Sequence, residues 1–166
     1  MHQSIINLNN IQTSIKSILE KKNNIKIIAV SKTFPINHIN PLIEYGHLDF
    51  GENKVQEAIE KWTDIKMKNK NISLHLVGKL QSNKIKMALK IFDYIHSLDT
   101  EKLANKISEE QKEMTKKPKL FIQVNIGNED QKSGINPNKL KSFYKYCLDK
   151  NLDVIGTMCL PPISED

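Results

Sequence analysis

Six times along the chain a short apolar stretch gives way to a polar or glycine-containing signal and then to a segment whose apolar residues recur at helical spacing. Strands that alternate with single helices in this way predict an α/β fold with a parallel sheet and right-handed crossovers. The most informative repeat is 25–33, Ile-Lys-Ile-Ile-Ala-Val-Ser-Lys-Thr, an almost unbroken apolar run that ends in Ser31 and Lys32. Its lack of clean alternation suggests a strand buried on both faces. Lys32 then falls at the carboxyl end of that strand, the end at which α/β folds gather their ligand-binding loops. A lysine held there is expected to be partly desolvated, which disfavours the ammonium form and makes a nucleophilic amine accessible for Schiff-base chemistry. The plainer alternative is a lysine that flanks a strand and reaches out to water.

Taken in order, Leu8, Ile11, Ile15, Ile18 and Leu19 predict an amphipathic first helix. Strands are expected at 25–30, 48–50, 73–77, 93–95, 120–124 and 152–155. Pro35 opens the helix after the first strand and Gly46 ends it. Val55, Ala58, Ile59, Trp62 and Ile65 share the buried side of the next, and Ser82 is placed to cap the one after that. Leu103, Ala104, Ile107 and Met114 mark a further helix, and Pro137 starts another after the polar loop 125–136. An open dinucleotide-binding sheet would carry a glycine-rich turn after its first strand, and none is present. Signals after nearly every strand fit a ring of loops around a barrel mouth instead. A complete barrel of that kind takes about 250 residues. The 166 residues here are therefore expected to form a single incomplete domain, 1–166, of a TIM-type (β/α)8 barrel, with six strands and an N-terminal helix and with strands seven and eight absent.

The net charge of +6 and pI near 9.2 would ordinarily raise nucleic acid or a membrane surface as partners. All 25 basic residues are lysine, however, and with abundant Asn and Ile they resemble the codon bias of an AT-rich genome. They scatter over nearly every helix, and aromatic residues make up only 6%, so no stacking platform accompanies the charge. Neither nucleic acid nor membrane is expected as a partner. Cys147 and Cys159 are too few for a disulfide scaffold and lack metal-ligand spacing, so both read as reduced, buried thiols. No signal peptide or membrane-spanning stretch is evident, and a cytoplasmic location is expected.

The segments AVSKT at 29–33, FGENKVQE at 50–57, HLVGKLQSNK at 75–84, HSLDT at 96–100 and QKSGI at 131–135, with VIGTMCLPP at 154–162, carry a resemblance in their order and spacing. Together they resemble the YggS-type pyridoxal phosphate homeostasis proteins, which are related to the N-terminal barrel of alanine racemase. The resemblance covers essentially the whole chain. It implies that Lys32 holds pyridoxal 5'-phosphate (PLP) as an internal aldimine and that Asn53 lies near the cofactor ring. It also places Met158 at the barrel mouth and Lys132 in the loop after strand five, where its amine would meet free cofactor. Asn53 could equally cap the helix that follows it, Met158 could be core filler, and Lys132 a solvated loop residue. Glu52 and Gln56 are expected to hold loops in place. His75, inside a strand, reads as a hydrogen-bonded core histidine, and His96 as a residue following a strand, with its role open. The family's phosphate-binding amides and an arginine at the ring nitrogen belong to strands seven and eight.

Two function classes share Lys32. By the resemblance, the chain is a PLP-binding protein of intracellular PLP homeostasis without substantial turnover, serving PLP-dependent apo-enzymes, with a monomeric full-length form. The alternative is a PLP-dependent or Schiff-base enzyme of the amino-acid racemase kind. Such a racemase needs a second proton-transfer group, a tyrosine in alanine racemase. Tyr45, Tyr94, Tyr144 and Tyr146 all fall within expected helices or strands.

Overall fold

The computed structural model describes residues 2–18, 25–127 and 133–161. Helix α1 (Gln3–Ile18) precedes β1 (Ala29–Val30), α2 (Ile36–Glu44), β2 (Asp49–Glu52), α3 (Val55–Lys68) and β3 (Ser73–Leu76). A short 3-10 turn (Ser82–Lys84) leads into α4 (Ile85–Ile91), followed by β4 (Tyr94–Leu98), α5 (Glu101–Glu110) and β5 (Lys119–Gln123). A second 3-10 turn (Pro137–Lys139) enters α6 (Leu140–Asp149), and β6 (Val154–Met158) completes the described elements. The strands form one six-stranded sheet in the order β1-β2-β3-β4-β5-β6. Every neighbouring pair is parallel. This is the expected α/β architecture of barrel type, with consecutive strands adjacent in space.

Period-two alternation divides the sheet into two faces. Phe50, Leu74, Leu76, Ile95, Leu120 and Ile122 are buried on the face covered by helices. There Phe50 packs against Trp62 of α3 with ring centroids 4.8 Å apart. The other face carries a polar and aromatic layer, in which His75 stacks on Tyr94 and His96 on Phe121, both at 4.3 Å. Gly156 of β6 makes room for the Phe121 ring, since a Cβ there would come within 3.1 Å of it.

The departures from expectation have local causes. Only Ala29 and Val30 of the 25–30 run join the ladder. Among the described residues β1 pairs on one side only, and Val30 is 45% exposed rather than buried on both faces. In α1 Leu8 alone is buried, and Ile11 and Ile18 face outward. Leu19 lies outside the described residues. Strand β4 runs through His96, Ser97 and Leu98, beyond the expected 93–95, because it pairs with both β3 and β5. Strand β6 lies two residues later than expected at its start and extends to Met158. Ser82 opens the 3-10 turn without a side-chain cap. Cys147 is fully buried, but Cys159, just past the end of β6, is exposed.

Candidate functional site

Lys32 owes its position to the residue before it. The backbone N–H of Ser31 donates to the Gly51 carbonyl at 2.8 Å, which continues the β1–β2 pairing one residue past Val30. The Ser31 side chain points to the helical face, where its hydroxyl donates to Glu52 Oε1 at 2.8 Å. Lys61 of α3 donates to both the Ser31 carbonyl (3.0 Å) and Glu52 Oε1 (2.8 Å). Trp62 Nε1 donates to the same oxygen at 3.0 Å. By alternation Val30 and Lys32 then fall on the opposite face, where both line one cavity. Thr33 follows with a positive φ of 65°, turning the chain away from the strand.

Asn53 is set by a close backbone approach at the end of β3. Gly78 sits so near that a Cβ on it would lie 2.3 Å from the Asn53 carbonyl oxygen, so only glycine fits. Asn53 does not cap α3, whose N-cap is Lys54 without a side-chain bond. The loop after β5 folds back on the strand end: Gln123 Nε2 donates to the Ser133 carbonyl at 3.1 Å, and the Ile135 N–H to Gln123 O at 2.9 Å. Gly134 makes this return possible with a φ of +125°, its backbone pressed against Asn125.

These strand ends enclose a cavity of about 650 Å³, within the range of small-molecule sites. Lys32, Asn53 and Met158, drawn from the ends of β1, β2 and β6, all line it. The structure thus brings together three of the four residues expected at the site. The fourth, Lys132, lies outside the described residues. Lys79, Gln123 and Cys159 also line the cavity, and no acidic residue does among the described residues. Lys79 stood within a recognised motif but carried no separate signal. Its charge acts on the partly buried Asp99, whose carboxyl is pushed up by burial against the opposing pull of Lys79.

Lys32 itself is exposed, and its side-chain amine makes no hydrogen bond or ion pair among the described residues. The expected desolvation is therefore not found; the exposed side chain lines the cavity. Glu52 does hold the strand end, as expected. Gln56 does not hold a loop, for it bonds only Glu60 on the exposed side of α3 at 2.9 Å. His75 is a hydrogen-bonded core histidine, and His96 proves to be its partner inside β4.

A lysine at the end of the first strand, facing a cavity ringed by the other strand ends, defines an α/β barrel-type protein built around an accessible amine. Residues 6–166 match the family model described as alanine racemase, N-terminal domain, and the chain belongs to that family. The pyridoxal phosphate homeostasis protein of Pasteurella multocida is 36% identical over 158 residues, covering 95% of this chain and 68% of that protein. PipY of Synechococcus elongatus, solved without PLP, superposes with a TM-score of 0.81 at 33% identity, covering 93% of this chain and 71% of that one. Its PLP-bound structure gives a TM-score of 0.79 at 32% identity, with coverage of 92% and 70%. The chain spans about two thirds of the length of these relatives.

Proposed function

We propose that this chain binds PLP through Lys32 and serves intracellular PLP homeostasis as a reservoir or carrier. The observation that carries the reading is the convergence of an unpaired Lys32 amine, Asn53 and Met158 on one cavity free of acidic side chains among the described residues. The residues fit the cofactor chemically. PLP supplies an aldehyde that an amine captures reversibly and a phosphate that favours a cationic surround. Lys32 would offer the amine, Asn53 an amide for the ring, and Lys79 a second positive charge on the wall. Lys132 is assigned an accessory role in meeting free cofactor at the mouth. The PLP named in the Synechococcus structure and the homeostasis role named for the Pasteurella relative support the same assignment.

Turnover is assigned a minor place. Tyr45 bonds Asn9 at the α1–α2 contact, Tyr146 bonds Asn105, Tyr94 stacks in the sheet layer, and Tyr144 lies on α6. None of them lines the cavity. A second proton-transfer group opposite Lys32 is thus not supplied by a tyrosine among the described residues. The natural recipients of the cofactor would be PLP-dependent apo-enzymes in the cytoplasm. Among the described residues no helix is long and apolar enough to cross a membrane. We further assign 1–166 to a single incomplete barrel domain, closed into a monomer when two additional parallel strands bridge β6 and β1.

The test is titration with PLP followed by borohydride reduction and peptide mapping. Visible absorbance and a stable adduct on Lys32 are expected, both lost in Lys32→Ala. An adduct confined to Lys132 would overturn the assignment, and rapid D-amino-acid formation dependent on Lys32 would turn it towards the enzyme reading.

A further inference from the structure

We propose that Glu52 is a positioning residue that, through Ser31, determines which amine of the cavity captures the cofactor. The inference rests on the assignment of PLP to this cavity. Among the described residues two amines line it, Lys32 and Lys79, and both are exposed. Accessibility alone therefore does not choose between them. What distinguishes Lys32 is its backbone.

β1 contributes only two residues to the ladder and lies at the edge of the sheet, paired on one side. Such an edge gives little hold on the residues just beyond it. Ser31 is nevertheless held at three points: its N–H by Gly51, its hydroxyl by Glu52 and its carbonyl by Lys61. Since successive side chains alternate, seating Ser31 against α3 obliges Lys32 to project into the cavity. Thr33, at φ 65°, then leaves the strand at once, so this anchorage precedes Lys32 directly.

Glu52 is the hub of that anchorage. Its Oε1 accepts from Ser31, Lys61 and Trp62, so one atom joins the end of β1 to β2 and α3. The carboxylate is fully buried, yet Oε2 has no partner among the described residues. Burying an acid with one oxygen unmatched is an inefficient way to gain stability. What the arrangement does provide is a fixed geometry at the residue preceding Lys32.

Ser31→Ala removes one donor while leaving Glu52, Lys61 and Trp62 together, so it preserves the core. The full chain and this variant are loaded with PLP, reduced with borohydride, and the adduct on Lys32 and Lys79 peptides is quantified by mass spectrometry. Lys32 should carry nearly all the label in the parent chain. In Ser31→Ala the Lys32 to Lys79 ratio should fall about ten-fold, the scale of one hydrogen bond to a charged group. Ser31→Thr, which keeps the hydroxyl, should restore the ratio. Glu52→Leu, which removes the acceptor for the Ser31 hydroxyl, should behave like Ser31→Ala if it folds, and Ser31→Ala decides the matter if it does not. An unchanged ratio in Ser31→Ala would overturn the positioning role while leaving PLP binding intact. Absence of adduct on Lys32 in the parent chain would instead refute the cofactor assignment itself.

Discussion

His75 and His96, on adjacent strands, share a hydrogen bond of 2.9 Å from Nδ1 to Nε2, and His75 Nε2 lies 3.2 Å from Asp49 Oδ1. The Asp49 carboxylate accepts from His75 Nε2–H, so neutral His75 must receive at Nδ1 the proton-bearing Nε2 of His96. A proton on His75 Nδ1 would break this pairing, whereas a protonated His96 would still donate from Nε2 and is opposed by its burial instead. Burial lowers the pKa of His75 against the pull of Asp49, and lowers that of His96 to about 4, with His75 adding to the effect. A base whose folded pKa is depressed binds fewer protons in the native state, so stability is full above pH 6.5 and declines as pH falls towards 4. His96 alone should cost about 3 kcal/mol across that window. Asp99, raised by burial, acts in the opposite sense and offsets part of the loss. Chemical denaturation at pH 7 and pH 5 should show the decline, and His96→Gln, which keeps a donor for His75, should flatten it. A pH-independent stability in the parent chain would rule the relay out as the acid-sensitive element.

Gly78→Ala tests the close approach that sets Asn53. The added Cβ would fall 2.3 Å from a backbone oxygen, so the two strand ends must part. Overpacking of this kind costs about 1–3 kcal/mol. Gly46→Ala is the control, because Gly46 has a φ of +92° but open space around its Cβ position. It should cost about 1 kcal/mol through backbone strain alone. Both variants should melt earlier, but only Gly78→Ala should weaken PLP binding, as measured by absorbance titration. Equal affinity in the two variants would show that the Asn53 position is immaterial to the site.

The cysteines offer a probe of the cavity that does not depend on Lys32. Cys147 is fully buried, and burial pushes its thiol up to about 11, with Glu101 adding to the effect. Cys159 is exposed and lines the cavity. A neutral thiol reagent should therefore modify Cys159 in the native protein and reach Cys147 only after unfolding. Saturating PLP should slow labelling of Cys159 several-fold. A rate unaffected by the cofactor would place the binding event elsewhere.

The alternation of strands and helices was legible because a buried parallel sheet needs nearly continuous apolar runs, and these stand out wherever the helices between them are amphipathic. The convergence of Lys32, Asn53 and Met158 followed from their places after strands whose ends gather in such folds. Sequence spacing does not reveal which side of a strand is covered. For this reason the exposure of Val30 at the sheet edge and of Cys159 was missed, and the choice between a desolvated and a water-facing Lys32 stayed open. The Glu52–Lys61–Trp62 cluster joins residues nine and ten apart on different elements, a separation that neither strand nor helix periodicity marks. The His75–His96 pair was hidden for a related reason: it depends on the register of β3 against β4, set by pairings such as His75 with Tyr94.

The last prediction concerns the two sheet edges. Among the described residues β1 and β6 each pair on one side only, and Val30 and Ile155 on them are 45% and 46% exposed. Beside β6 runs a groove of about 550 Å³ lined by Leu140, Tyr144 and Ile155, an apolar strip where a closed barrel would continue. Edge strands with exposed apolar residues offer unpaired backbone donors and acceptors to another chain. Residues 1–166 should accordingly associate as concentration rises, measured by sedimentation velocity from micromolar to near-millimolar protein. Ile155→Lys should suppress the association, since a charge on an exposed edge opposes strand addition. A version extended by two further parallel strands should remain monomeric and bind PLP more tightly, because the resemblance assigns the phosphate-binding amides to those strands. A parent chain that stays monomeric throughout, with affinity equal to the extended version, would show that six strands form a sufficient unit and that the phosphate is received within residues 1–166.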